Sequence, residues 1–152
     1  MMSMMSKAKV VLATGAFDLL HYGHYRFLEE AKKAGGRNSK LIVIIARDKT
    51  IKKRKGKRPI LPEDQRRALV EALKPVDQAI LGYEEMNIEA VVKKIKPDII
   101  AVGYDQSDMR KTVEAILRKG KSRVKIVQIG RFGSVDLNSS SKIKRRVIEE
   151  WR

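Results

Sequence analysis

The stretch Val10-Val11-Leu12-Ala13-Thr14-Gly15-Ala16-Phe17-Asp18-Leu19-Leu20-His21-Tyr22-Gly23-His24 decides how this chain folds and what it can do. Its first part is a continuous apolar run, the pattern of a strand buried on both faces of a parallel sheet. A glycine-bearing turn follows, and residues 25–34 carry helical periodicity. Strand, glycine turn and helix start together aim backbone N–H groups and a helix dipole at an anion. His21 and His24 are three residues apart, so both lie on one face at the helix start. Gly23 between them leaves room for a phosphate to approach the backbone. Imidazoles donate hydrogen bonds to phosphoryl oxygens near neutral pH, more so when an anion raises their pKa. The sequence holds two histidines, and both fall here.

Other readings of these residues compete. The histidines alone would serve as ordinary residues of a helix N-terminus. Asp18, His21 and His24 would make a set of two imidazoles and a carboxylate for iron or zinc, but no fourth ligand is spaced for it. A G-x-G-x-x-G fingerprint is absent from the segment, which argues against hydride transfer on a dinucleotide.

Working outward, the chain alternates strand and helix patterns. Strands are expected at 8–14, 41–46, 78–81, 99–102 and 124–129, and Arg47 and Asp48 follow the second at its carboxyl end. Helices are expected at 25–34, closed by Gly35-Gly36, at 62–73 behind Pro62, at 87–95, at 109–119 and at 139–152. The last would pack through Ile143, Val147, Ile148 and Trp151. Residues 49–59 are too polar and basic for core and are predicted to be a mobile loop, and 130–135 a glycine-containing one. Alternating strands and helices imply an α/β fold: a Rossmann-like three-layer α/β/α sandwich around a five-stranded parallel sheet. Residues 8–152 read as a single domain behind a frayed tail at 1–7.

Composition narrows the function. The 152 residues contain no cysteine, which removes disulfides, thiolate nucleophiles and cysteine-based zinc sites. No apolar run approaches the length of a membrane span, and the first residues lack the regions of a signal peptide, so the expected location is the cytoplasm. The net charge of +16 attracts polyanions and keeps a basic nucleic-acid-binding module in play. Yet the cations are spread, and no aromatic stacking platform of the single-strand-binding kind is visible.

Gly15, Phe17, Asp18, His21, Gly23 and His24 together resemble the G-x-F-D-x-x-H-x-G-H signature of the HxGH nucleotidyltransferases, the cytidylyl- and adenylyltransferases. Ala16 departs from the Thr, Ser or Cys of many relatives. The resemblance spans about residues 8 to 150 and implies strand order 3-2-1-4-5, with Gly15 and Gly103 facing each other across a crevice. It implies nucleotide contacts from Thr14, Gly15, Ala16, Phe17, Asp18, His21, Gly23 and His24, and from Gly103, Tyr104 and Asp105. Asn138-Ser139-Ser140-Ser141-Lys142-Ile143-Lys144 is similar to the family's second signature, with Asn138 in place of isoleucine. There Asn138, Ser139, Ser140 and Lys142 would meet phosphate, although serines at a helix start also serve as plain caps. Gly103-Tyr104-Asp105-Gln106 equally reads as a turn after a strand.

The family's triphosphate lysine would be Lys52 or Lys53 and its helix arginine Arg66; Asp18 is a candidate ligand for a metal on the phosphates. The implied catalytic set is therefore His21, His24, Lys52, Arg66, Ser139 and Ser140. Residues 46–48 and 57–67, 70–82, 96–100 and 103–106 are most similar to archaeal FAD synthetases, which join AMP from ATP to FMN. Glycerol-3-phosphate cytidylyltransferases, which use CTP, and heptose-phosphate adenylyltransferases share the signatures. Mg²⁺ or another divalent cation would bridge the phosphates, and a homodimer is implied by family likeness. In such chemistry a phosphate acceptor, with a second pKa of about 6, is already largely ionised and needs no strong base.

Overall fold

The structure, a computed structural model, describes residues 8–85, 87–120, 122–130 and 139–151. The tail expected at 1–7, Asn138 and most of the loop expected at 130–135 lie outside them. Five strands, β1 (Val10–Gly15), β2 (Lys40–Ile45), β3 (Gln78–Leu81), β4 (Ile99–Gly103) and β5 (Lys125–Ile129), form one parallel sheet. Its order is β3-β2-β1-β4-β5, as the family resemblance implied. Six helices accompany it: α1 (Tyr22–Ala34), α2 (Asp48–Lys55), α3 (Glu63–Glu71), α4 (Ile88–Ile95), α5 (Ser107–Lys119) and α6 (Ser140–Glu150).

Alternation along the strands divides the core in two, because successive side chains point to opposite faces. Val11, Ala13, Val43 and Ile45 pack with Leu28 and Ala31 of α1 and Val70 of α3. Leu12, Ile42 and Ile44 pack on the other face with Ile88 and Val91 of α4 and Val113 and Leu117 of α5. Each large aliphatic so buried stabilises the fold by about 1.5–3 kcal/mol relative to exposure. Covering both faces leaves the carboxyl edge of the sheet as the place for a ligand. β1 and β4 are neighbours there, with Ala13 opposite Ala101.

Two segments depart from the sequence reading. The loop expected at 49–59 is largely helix α2: Thr50 and Ile51 are its buried anchor, and Gly56 closes it in the left-handed conformation at φ 74°. The cations Lys52, Lys53, Arg54 and Lys55 sit in its last turn, where they complement the helix dipole. Helix α6 forms, but none of its residues is buried, and Trp151 is 80 % exposed. Val147, Ile148 and Trp151 stay exposed, and among the described residues α6 meets the β1–α1 loop through the polar contacts of Ser140 and Lys144 to Asp18.

Candidate active site

Helix α1 begins at Tyr22, three residues earlier than its periodicity suggested, because His21 is its N-cap. The His24 N–H donates to His21 Nδ1 and the His21 N–H donates to His24 Nδ1, each at 3.3 Å. This is a capping box built from two imidazoles in place of the usual hydroxyl and carboxylate. The rings stack at 3.7 Å between centroids and 22° between planes. Because each Nδ1 accepts a backbone hydrogen bond, the neutral ring carries its proton on Nε2. Burial lowers the pKa of His21; burial, then the neighbouring His21 charge, pushes that of His24 down to about 3. The pair therefore stands near neutral pH as two uncharged rings, each with an Nε2–H donor at a helix N-terminus.

The loop before them is held against its own strain. Phe17 and Leu19 adopt φ of 52° and 54°, a region that side chains disfavour. The Phe17 ring lies back over Gly15, where a Cβ would come within 2.7 Å of it, so Gly15 must lack a side chain. Asp18 is buried and fastens the loop: Oδ2 accepts the Ile60 N–H at 2.7 Å and Oδ1 the Leu61 N–H at 2.9 Å. Burial pushes its carboxyl up, but those two hydrogen bonds and the Lys144 charge outweigh it and hold the pKa below the usual value. Both Asp18 oxygens are thus engaged by the protein. Among the described residues no group of three or more acidic or histidine side chains is disposed to hold a metal.

Arg66 is fully buried beneath the loop. It donates from Nε to the Leu61 carbonyl, from Nη1 to the Ala16 and Ala46 carbonyls, and from Nη2 to Asp48 at 2.6 Å. Ala16 and Ala46 follow the carboxyl ends of β1 and β2, so one guanidinium fixes both exits from the sheet. Arg66 does not line the crevice: it positions the loops that do.

The crevice has a volume of about 470 Å³ and is lined by Thr14, Gly15, Ala16, Phe17, Asp18, His21, Gly23 and His24 on one side. Gly103, Tyr104 and Asp105 face them, with Ser139 and Ser140 from the start of α6. The structure brings these sequence-predicted residues together. It does not bring Lys52 there: that side chain is exposed on α2 and outside the lining, as is Lys53, and Lys142, half-buried on α6, is outside the lining too. The cations at the crevice are Arg54, Lys55, Lys57, Arg58 and Lys144.

Ser139 caps α6 by accepting the Lys142 N–H at 3.2 Å, and Ser140 Oγ donates to the Asp18 carbonyl. Lys144 Nζ lies 3.5 Å from Asp18 Oδ2. Gln106, which sequence reasoning did not single out as a site residue, braces the two sides. Its side chain accepts the Gly103 N–H at 2.8 Å and donates to the Thr14 carbonyl at 3.0 Å. Five cations against Asp18 and Asp105, with helix-start donors, make a site for a polyphosphate.

Residues 12–146 match the cytidylyltransferase-like family model. A FAD synthase from Ferroglobus placidus is 50% identical over 140 residues, covering 92% of this chain and 88% of that one. A FAD synthase from Methanopyrus kandleri is 44% identical over 144 residues, with 95% of each chain covered. A solved structure, a lipopolysaccharide core biosynthesis protein from Thermoplasma volcanium, superposes with a TM-score of 0.75 at 42% identity. That superposition covers 84% of this chain and 100% of the other.

Proposed function

The chain belongs to the cytidylyltransferase-like family, and we infer that it is an FMN adenylyltransferase that makes FAD from ATP and FMN. What carries the acceptor and the nucleotide is identity of 50% and 44% to two FAD synthases over more than nine-tenths of the chain. The crevice supports the chemistry: it is cationic, holds about 470 Å³ and is lined by two Nε2–H donors.

A phosphate oxygen of FMN attacks the α-phosphorus of ATP and forms the new P–O bond. The bond from the α-phosphorus to the bridging oxygen breaks, and pyrophosphate leaves with that oxygen. His21 and His24 donate from Nε2 to phosphoryl oxygens whose charge grows in the transition state. The N-terminus of α1 and the lysines and arginines at the end of α2 neutralise the triphosphate. Ser139 and Ser140 steady the phosphates from the opposite wall, and Gly103, Tyr104 and Asp105 receive the nucleoside. No residue need take a proton from the acceptor, because its phosphate is already ionised. Mg²⁺ would come with the triphosphate as part of the substrate and offset its charge; Asp18, whose oxygens each accept a backbone N–H from Ile60 or Leu61, lines the same crevice. The working form in this reading is a homodimer, an expectation that rests on the family resemblance, and its place is the cytoplasm, as the sequence led us to expect.

Incubation with Mg²⁺, ATP or CTP, and FMN or glycerol 3-phosphate tests the assignment by chromatography of products. FAD from ATP plus FMN is the expected result. A CDP-linked product, with no FAD, would move the chain to the cytidylyltransferase branch.

A further inference from the structure

A second cavity, of about 400 Å³, opens beside the crevice between the start of α4 and one face of α5. Arg54 and Met109 line both spaces, so the two meet at those side chains. Its floor is the α5 stripe Met109, Thr112 and Ile116, spaced i, i+3, i+7 and hence on one helix face. Its far wall is Asn87, Ile88 and Glu89.

Charge separates the two spaces. The crevice carries five cations against two carboxylates, whereas the side cavity carries Arg54 against Asp108 and Glu89. On a chain of net charge +16, that is a locally acidic groove. It repels a phosphate and suits an uncharged end of a ligand. Ile88, Met109 and Ile116 offer apolar surface. Asn87 uses its side-chain oxygen to cap Ala90, which leaves its NH₂ as a donor. The Thr112 hydroxyl spends its proton on the Asp108 carbonyl, which leaves its oxygen as an acceptor beside the Asp108 carboxylate.

We propose that this groove is the subsite for the isoalloxazine ring of the acceptor. The inference rests on the FMN reading above. The ring is flat and neutral, with an apolar dimethylbenzene end and a polar end bearing carbonyl acceptors and an imide N–H. The groove pairs apolar side chains with both a donor and acceptors, the mix by which small-molecule sites fix orientation. The acceptor phosphate stays in the cationic crevice, and the polyol chain crosses past Arg54 and Met109. Selection of a flavin over a small polyol phosphate thus resides in α4 and α5, away from the histidines.

The test is Thr112→Trp, which fills the groove from an exposed position, with Lys111→Trp as the neighbouring control outside it. Steady-state kinetics should give a KM for FMN raised about tenfold or more, with the KM for ATP unchanged, in Thr112→Trp alone. Riboflavin, which has the ring but no phosphate, should bind the wild type by fluorescence titration and lose that binding in the variant. Glu89→Trp, on the opposite wall, should repeat the result and covers the case in which Thr112→Trp does not fold. If the wild type makes FAD and both groove variants keep the wild-type KM for FMN, the ring binds elsewhere and the inference is overturned. If the wild type transfers a nucleotide only to a non-flavin phosphate, the FMN reading falls and takes the subsite with it.

Discussion

Helices α1 and α6 both point their N-termini into the crevice, yet they are held there in opposite ways. Helix α1 buries Leu28 and Ala31 completely against β1 and its neighbours, and its first turn is locked by the reciprocal histidine cap. Helix α6 buries no residue, and among the described residues Ser140 and Lys144 tie it to Asp18 of the loop. Electrostatic catalysis depends on donors that do not reorganise as charge develops, and α1 meets that demand. The hydroxyls and lysine of α6 sit on a weakly anchored element, of the kind that follows a substrate more readily than a packed one does. One wall of the crevice is a platform and the other an attachment.

That contrast breaks if the two helices respond alike to truncation. Leu28→Ala in α1 should cost about 2–5 kcal/mol of unfolding free energy, measured by denaturant titration. Val147→Ala, on the exposed face of α6, should change it by less than about 0.5 kcal/mol. Equal costs would mean that α6 packs as firmly as α1.

Acid sharpens the comparison, because the cap titrates with the platform. The unfolded chain binds protons at histidine near pH 6.5, while folded His24 resists protonation until about pH 3. Stability from this source is full above about 6.5 and drains away as pH falls toward 3. Asp18, held below the usual carboxylate value, adds a further loss below about 4. Thermal melts between pH 7 and 4 should therefore decline in the wild type and decline less steeply in His24→Gln. Identical slopes would show that the rings are not neutral in the fold.

On the attached wall the effects should be small. Ser140→Ala removes one hydrogen bond to the Asp18 carbonyl, and should cost about 0.5–1.5 kcal/mol by denaturant titration. It should raise the KM for ATP more than it lowers kcat. A large fall in kcat with KM unchanged would place Ser140 in the transition-state machinery and blur the distinction between the walls.

The sequence made the platform legible because its signals are local. Apolar runs marked the strands within one or two residues, and the histidine spacing sat on one short motif. Helix α2 escaped because only Thr50 and Ile51 anchor it, too few to show a period among its lysines. Arg66 entered the site through the family resemblance, although its spacing from Val70 and Leu73, i, i+4, i+7, sets it on the helix's inward face. Its role depends on carbonyls 50 and 20 residues away, which no local pattern encodes. Gln106 spans a still longer interval to reach Thr14. The outward face of α6 was misjudged because amphipathic periodicity tells which residues share a face and not whether anything covers it.

In the proposed function His21 and His24 have two separable jobs, capping α1 through Nδ1 and meeting phosphate through Nε2–H. His21→Asn and His24→Gln keep an acceptor for the cap, since asparagine is a good N-cap and glutamine a good third residue of a capping box. Each removes the imidazole donor. The measurement is kcat for FAD formation alongside the denaturant midpoint of each variant. Stability should stay within about 1 kcal/mol of the wild type, and turnover should fall by about 10²-fold or more. A folded variant that turns over at the wild-type rate would contradict this reading.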